Sequence, residues 1–274
     1  MARDLDAPAY DNPKNVVQSL AKGFRVLEAF TASAPELTLA AVARRAGMDN
    51  AMAFRLLNTL VMLGYVARIP GRREFRLTLK CLDLGFNSIA RMDLRERVRP
   101  VLRSLVGEVN EAASVGVLDG ADAVYVERVQ AGLVRLGVDV RVGSRIPAYC
   151  SALGLAILAY LPKDEQLRAL NLRPRLKLTP RTVTDTKEIQ ARLVRVRRAG
   201  YVVVDQEITS GLRALAAPVL DPDGQPIAAV SVVAPSMRAP LDRFLKMAVG
   251  PVQEAARTIS KAMQAGGAIA AQAA

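Results

Sequence analysis

The 274-residue sequence has no histidine, no tryptophan and only two cysteines, Cys81 and Cys150. Without histidine there can be no Ser-His-Asp triad, no His-assisted cysteine nucleophile, no HExxH site and no ordinary catalytic zinc centre. Two cysteines so far apart cannot build a four-cysteine site and read as reduced thiols. Cys150 reads as a small packing residue rather than a redox switch. The longest clean apolar run, Ala152 to Leu161, falls well short of the ~20 residues a membrane helix needs. The opening MARDLDAPAYDNPKN lacks the basic-then-apolar start of a secretory signal. The expectation is a cytoplasmic chain that is not an enzyme, with no cofactor, no metal and no membrane partner.

Hydrophobic residues make up 51% of the chain, enough for real cores, and the formal net charge is +12. A basic chain often meets nucleic acid. The excess is spread along the whole sequence, however, so the pattern has to carry the argument.

Residues 1–15 read as a flexible arm. Val17, Leu20, Phe24 and Leu27 then repeat at helical spacing and predict a first amphipathic helix with that face inward, closed by Phe30. Thr31 to Pro35 read as a loop. Thr38 is placed to cap a second helix with Leu39, Val42, Ala43 and Ala46 inward. Gly47-Met48-Asp49 breaks it. A third helix, Asn50 to Leu63, turns Ala53, Leu56, Leu57, Leu60 and Val61 inward and ends at Gly64. Two short strands, Tyr65–Arg68 and Glu74–Leu77, flank Pro70-Gly71 as a hairpin with Arg72 and Arg73 near its tip. Residues 16–80 therefore predict a winged helix-turn-helix.

The stretch Met92 to Glu108, inside an expected linker segment 81–110, is amphipathic, with Leu94, Val98, Val101, Leu102 and Leu105 on its apolar side. Pro100 is a potential kink, and the stretch is a candidate contact surface between subunits. Beyond it the period changes to two. Val134, Leu136, Val138 and Val140 alternate with polar residues as a half-buried strand, preceded by one through Val124-Tyr125-Val126. Helices are expected at Ser151–Leu161 and after the capping pair Asp185/Glu188, ending at Gly200. Tyr201–Val204, Leu212–Leu220 and Pro226–Val233 read as strands, the last two joined by the turn Asp221-Pro222-Asp223-Gly224. A last helix starts near Pro240 and runs to Met263, with Gly250-Pro251 as a potential break. Residues 111–264 are thus expected to form an α+β domain with a mostly antiparallel sheet, and 265–274 a loose tail.

Three short helices occur in many cores that never touch DNA. Here the short turn and the basic-tipped hairpin favour the DNA reading. The outward face of the third helix carries Ala51, Arg55, Asn58 and Met62. An arginine can fork onto guanine and an asparagine can pair with adenine, with small residues permitting close approach. Arg72 and Arg73 suit phosphate or minor-groove contact. Thr38, Arg45, Asn50 and Met52 complete the candidate DNA-binding set.

The runs SLAKGFRVLEAF, LTLAAVARRAGM and FRLLNTLVMLGYV resemble the DNA-binding half of the IclR family of bacterial regulators. ALGLAILAYL, RRAGYVVVDQEITSGLRALAAPV and IAAVSVVAP resemble its GAF/profilin-like effector domain. The likeness spans about residues 16–264. It implies a homodimer or homotetramer, binding to double-stranded operator DNA, control by a small organic acid, and RNA polymerase as a further candidate partner. VGSRIPAYCSALGLAILA is similar to the branch that governs protocatechuate and 4-hydroxybenzoate catabolism. That branch usually has SMGR where this chain has Ala152-Leu153-Gly154-Leu155.

For the effector, Cys150-Ser151 open a helix whose free N–H groups suit a carboxylate, and Ser151 adds a hydroxyl. Ser151 can equally cap its own helix. The resemblance carries over Ala152, Leu153, Asp205, Ala214 and Ser231 as further effector positions. Val204 and Ala214 are apolar where relatives binding short keto acids resemble having polar groups, which favours an aromatic acid. Three competing expectations are a keto-acid sensor, a DNA-binding oligomer that senses nothing, and a hydrolase using Cys150 or Ser151.

Overall fold

The computed structural model describes residues 16–31, 33–84, 94–130, 140–238 and 240–267. They fall into two compact units, Met1–Ser88 and Ile89–Ala274.

The first unit contains α1 (Gln18–Glu28), β1 (Glu36–Thr38), α2 (Leu39–Ala46), α3 (Asn50–Met62), β2 (Val66–Arg68) and β3 (Glu74–Leu77). Thr38 is the N-cap of α2, its hydroxyl accepting the Ala41 N–H at 3.3 Å. Gly47 ends α2 at φ 65°, a left-handed conformation glycine adopts without strain. Asp49 then caps α3 by accepting the Met52 N–H at 2.8 Å. That hydrogen bond holds the Asp49 carboxyl below its usual pKa. The two caps explain how α3 can start so soon after α2 stops. β3 pairs antiparallel with both β1 and β2. The core combines Val26, Phe30, Leu37, Val42, Leu57 and Phe75.

α1 corrects the sequence expectation. Val26, Ala29 and Phe30 are its buried stripe, whereas Val17, Leu20 and Phe24 are 63%, 61% and 51% exposed. Only the C-terminal end of α1 reaches the α2/α3 core. The upstream apolar stripe has no cover within the described chain.

The second unit contains α4 (Leu94–Val109), β4 (Ala112–Asp119), β5 (Asp122–Val129), β6 (Arg145–Pro147), α5 (Ala152–Leu158), α6 (Lys163–Asn171), α7 (Thr186–Ala199), β7 (Val202–Asp205), β8 (Leu212–Leu220), β9 (Pro226–Pro235) and α8 (Leu241–Gly267). One antiparallel sheet has the order β6-β5-β4-β9-β8-β7. Its strands alternate between two cores. Leu215, Ala217, Val230 and Val232 face α4 and α8, while Ala216 and Ala229 face α5 and α7.

The apolar side of α4 is Val98, Leu102, Leu105 and Val109, all buried against the sheet and α8. Burying each of these leucines contributes about 1.5–3 kcal/mol. That side is therefore covered by the chain itself, which corrects the expectation of a free contact surface between subunits. α8 is also longer than expected. It continues through Gly250 and Pro251, because Phe244, Ala248, Val252, Ala255 and Ile259 form one unbroken buried stripe. The Asp185 cap, the Gly200 stop and the Asp221 turn stand where the sequence puts them. The strand expected through Val134, Leu136 and Val138, the arm 1–15 and residues 268–274 lie outside the described residues.

One irregularity positions the site below. Val115 pairs with Glu127, but Gly116 pairs with Tyr125, so Val126 is an extra residue in β5. This β-bulge changes which face the following side chains take. Strict alternation from Tyr125 would put Glu127 on the α5 face. Instead Glu127 opposes Val115, which belongs to the α4/α8 core, and Arg128 opposes Ser114 on the other face. Gly116 keeps the bulge tight, since a Cβ there would lie 2.9 Å from Leu153 Cδ1 and 3.0 Å from the Val124 carbonyl oxygen.

Candidate functional site

In the first unit, Asn50, Ala51 and Arg55 are exposed, Met52 is half-buried and Met62 is 88% exposed. These residues leave α3 on the side away from Ala53, Leu57 and Leu60, as the wheel predicts. Several other candidates are engaged within the protein. Asn58 accepts a 2.5 Å hydrogen bond from Arg68 Nη2 on β2. The Arg68 guanidinium also lies 5.7 Å from the Phe75 ring centroid. Arg45 donates to the Ala29 carbonyl at 3.0 Å and braces α2 against the end of α1. Arg72 lies 3.4 Å from Glu36 and 3.8 Å from Glu74. Arg73, also near the tip, is exposed. The start of α3 and the β2–β3 hairpin thus carry exposed basic side chains, Arg55 and Arg73.

The second unit contains a cavity of about 680 Å³, counted with its open mouth, between the sheet and α5. Leu153, Ile146, Val204, Leu212, Ala214 and Val233 give it apolar walls. Val204 and Ala214 face each other across β7 and β8. Its polar lining includes Arg128, Ser151, Glu207, Arg213 and Ser231.

Ser151 is fully buried, and its hydroxyl accepts the Gly154 N–H at 3.1 Å. It is a helix cap, and α5 spans only seven residues. Cys150 is buried in the α5/α7 core and does not line the cavity, which corrects its place among the effector contacts. Burial pushes its thiol pKa up to about 12. Asp205 is also absent from the lining. It is held by Arg181 and by Arg213, the latter at 3.0–3.1 Å. Ala152, Leu153, Ala214 and Ser231 do line the cavity.

Three of these polar groups, Glu207, Arg128 and Arg213, are not among the candidates read from sequence. Glu207 meets Arg192 at 2.8 Å, with burial raising its pKa and Arg192 opposing the rise. Arg128 reaches the cavity from β5 through the bulge. Sequence alternation alone gives no signal for it, because the extra residue sits in the middle of an ordinary-looking strand.

The two units thus supply a winged helix-turn-helix and a two-faced sheet with an open-mouthed cavity on its α5 side. A family described as "Bacterial transcriptional regulator IclR C-terminal" matches residues 86–261, and the IclR helix-turn-helix domain matches residues 19–70. The chain belongs to the IclR family. As an IclR-family protein it is a transcriptional regulator with a DNA-binding and an effector-binding part. It is 35% identical over 225 residues to the Pca regulon regulatory protein of Pseudomonas putida, covering 82% of this chain and 76% of that one. Among solved structures, a Rhodococcus sp. RHA1 protein described as a transcriptional regulator superposes with a TM-score of 0.79 at 38% identity, covering 90% of this chain and 98% of that one. An IclR homologue from Microbacterium hydrocarbonoxydans complexed with 4-hydroxybenzoate superposes at 0.79 and 27% identity, covering 90% and 99%. The relatives are regulators, and no helix of the described residues is long and apolar enough to cross a membrane.

Proposed function

We propose that this IclR-family regulator binds operator DNA through α3 and the hairpin, and that an aromatic acid such as 4-hydroxybenzoate or protocatechuate enters the cavity of the second unit to control catabolic operons. The observation that carries the effector reading is the apolar facing pair Val204 and Ala214 in a cavity that also presents a guanidinium. A ring fits such walls, and a carboxylate fits the cation. The 4-hydroxybenzoate complex of the Microbacterium homologue supports the same ligand class. Arg55 is the proposed base reader, and Arg73 with the exposed start of α3 supplies backbone contacts. Asn58, Arg45, Thr38 and Arg72 act in this reading mainly by holding the reading head in shape.

One winged unit covers few base pairs, so paired half-sites and at least a homodimer are expected. The exposed stripe Val17, Leu20 and Phe24 on α1 is the proposed contact with a second copy. Catalysis has little to rest on, because Cys150 is a buried neutral thiol and Ser151 is an occupied cap.

Calorimetry with 4-hydroxybenzoate, protocatechuate, pyruvate and glyoxylate tests the effector. Binding of an aromatic acid, with a change of about 5- to 150-fold in operator affinity, is the expected result. Binding of a keto acid instead would refute the aromatic reading and leave the regulator standing.

A further inference from the structure

The cavity of the second unit holds a cation whose charge the described residues do not balance. Arg128 on β5 opposes Ser114 on β4, and Ser114 opposes Ser231 on β9. The three polar side chains form one row across three neighbouring strands, on the α5 face. Ser114 Oγ accepts from Arg128 Nη1 at 3.0 Å, whereas Arg128 Nε is buried without a partner among the described residues. Ser231 Oγ is likewise buried without a partner, the residue being only 2% exposed.

Such groups are costly to leave unpaired. A buried donor without an acceptor costs about 1–3 kcal/mol, more when charged. Burial also lowers the pKa of the Arg128 guanidinium from its ordinary value, with Tyr125 opposing. The other charges at the cavity have partners. Arg213 is held by Asp205, and Glu207 by Arg192. At the start of α5, Ser151 Oγ already accepts the Gly154 N–H. Neighbouring strands lie about 4.8 Å apart, so the backbones of Arg128 and Ser231 are separated by roughly 10 Å. A compact flat ligand can bridge that gap.

We propose that Arg128 is the carboxylate anchor of this cavity and Ser231 its second polar contact. The selected ligand class is a compact organic acid with an apolar body and a further hydrogen-bonding group. This rests on the cavity being the effector site, but not on the acid being aromatic. A guanidinium presents a fork that matches a carboxylate and discriminates against a neutral amide of the same shape.

The test is calorimetry on the full chain with matched acid and amide pairs: 4-hydroxybenzoate against 4-hydroxybenzamide, and pyruvate against pyruvamide. Wild type is expected to prefer the acid of whichever pair it binds by about 10- to 150-fold. Arg128→Gln should remove that preference while Arg128→Lys keeps part of it, and thermal melts should confirm that both variants fold. Ser231→Ala should weaken 4-hydroxybenzoate more than benzoate. If wild type binds pyruvate and not 4-hydroxybenzoate, the aromatic reading fails, and the pyruvate pair still decides on Arg128. An unchanged acid preference in folded Arg128→Gln, or a wild type that binds none of these acids, would overturn the proposal.

Discussion

Arg68 on β2 and Asn58 on α3 are joined by a 2.5 Å hydrogen bond that ties the hairpin to the recognition helix. One of the two lone pairs of the Asn58 side-chain oxygen is thereby taken, and the bond fixes the orientation of the amide. A double-mutant cycle with Asn58→Ala and Arg68→Ala, read by chemical denaturation, should give a coupling of about 0.5–1 kcal/mol, as suits an exposed charge-assisted bond. Additive losses would show that the bond is not made in solution.

Arg55 and Arg72 should differ in kind. Arg55→Ala should cost about 1–3 kcal/mol in affinity for the duplex this protein selects from a random pool, and should relax its sequence preference. Arg72 already faces Glu36 and Glu74. Arg72→Ala should change the slope of log affinity against log salt less than Arg73→Ala does. Gel-shift titrations across a salt series separate the three variants. Equal salt slopes for Arg72 and Arg73 would mean that DNA displaces the two carboxylates.

Cys150 should be inert. It is fully buried, and its thiol is pushed up to about 12, so thiolate is scarce at neutral pH. Cys81 is partly exposed. Native alkylation followed by mass spectrometry should label Cys81 slowly and Cys150 only after denaturation. Rapid labelling of Cys150 in the native protein would reopen the case for a nucleophile.

Glu207 should leave a signature in the pH dependence of stability. Its folded pKa is raised above the usual 4.5, chiefly by burial. The folded state therefore holds the proton more tightly than the unfolded chain does. Stability from this group is greatest at low pH and falls as pH rises from about 4.5 through the raised value. Glu111 is raised for the same reason, so the comparison must be wild type against Glu207→Gln. The variant should show the flatter melting-temperature profile across that window. Superimposable profiles would mean that Arg192 compensates the burial fully.

The N-terminal unit was readable because its signals are local. Thr38 as a cap, Gly47 as a stop and the α3 faces around Leu57 all follow from spacing within one or two turns. Val17, Leu20 and Phe24 depart from the sequence expectation for the opposite reason. Periodicity shows that a helix has an apolar stripe but not what covers it, and here the described residues do not. In the second unit, Ser231 and the Val204/Ala214 wall could be placed through family likeness. Arg128 could not, because its orientation depends on which strand pairs with β5 and where the register slips. The pairing of Asp205 with Arg181 and Arg213 is equally non-local, and it withdraws Asp205 from the cavity.

Gly154 offers a stability test of the cavity wall. A Cβ there would lie 2.3 Å from Ala148 Cα and 2.4 Å from its carbonyl oxygen, and backbone atoms cannot swing aside. Gly154→Ala should cost at least about 3 kcal/mol in urea unfolding. A loss under about 1 kcal/mol would show that the turn before α5 can shift freely.

The bulge at Val126 makes the electrical sign of the cavity depend on a reading frame within a strand. Glu127 and Arg128 are neighbours in sequence and opposites in charge, and the one extra residue decides which of them looks at the ligand. Removing Val126 would take out the extra residue yet leave Glu127 opposite Val115 and Arg128 opposite Ser114, so the pocket would keep its sign. Straightening the strand at its present length would instead bring Glu127 opposite Ser114. A carboxylate would then occupy the place of the guanidinium, and a pocket suited to acids would become one suited to amines with no change of sequence at all.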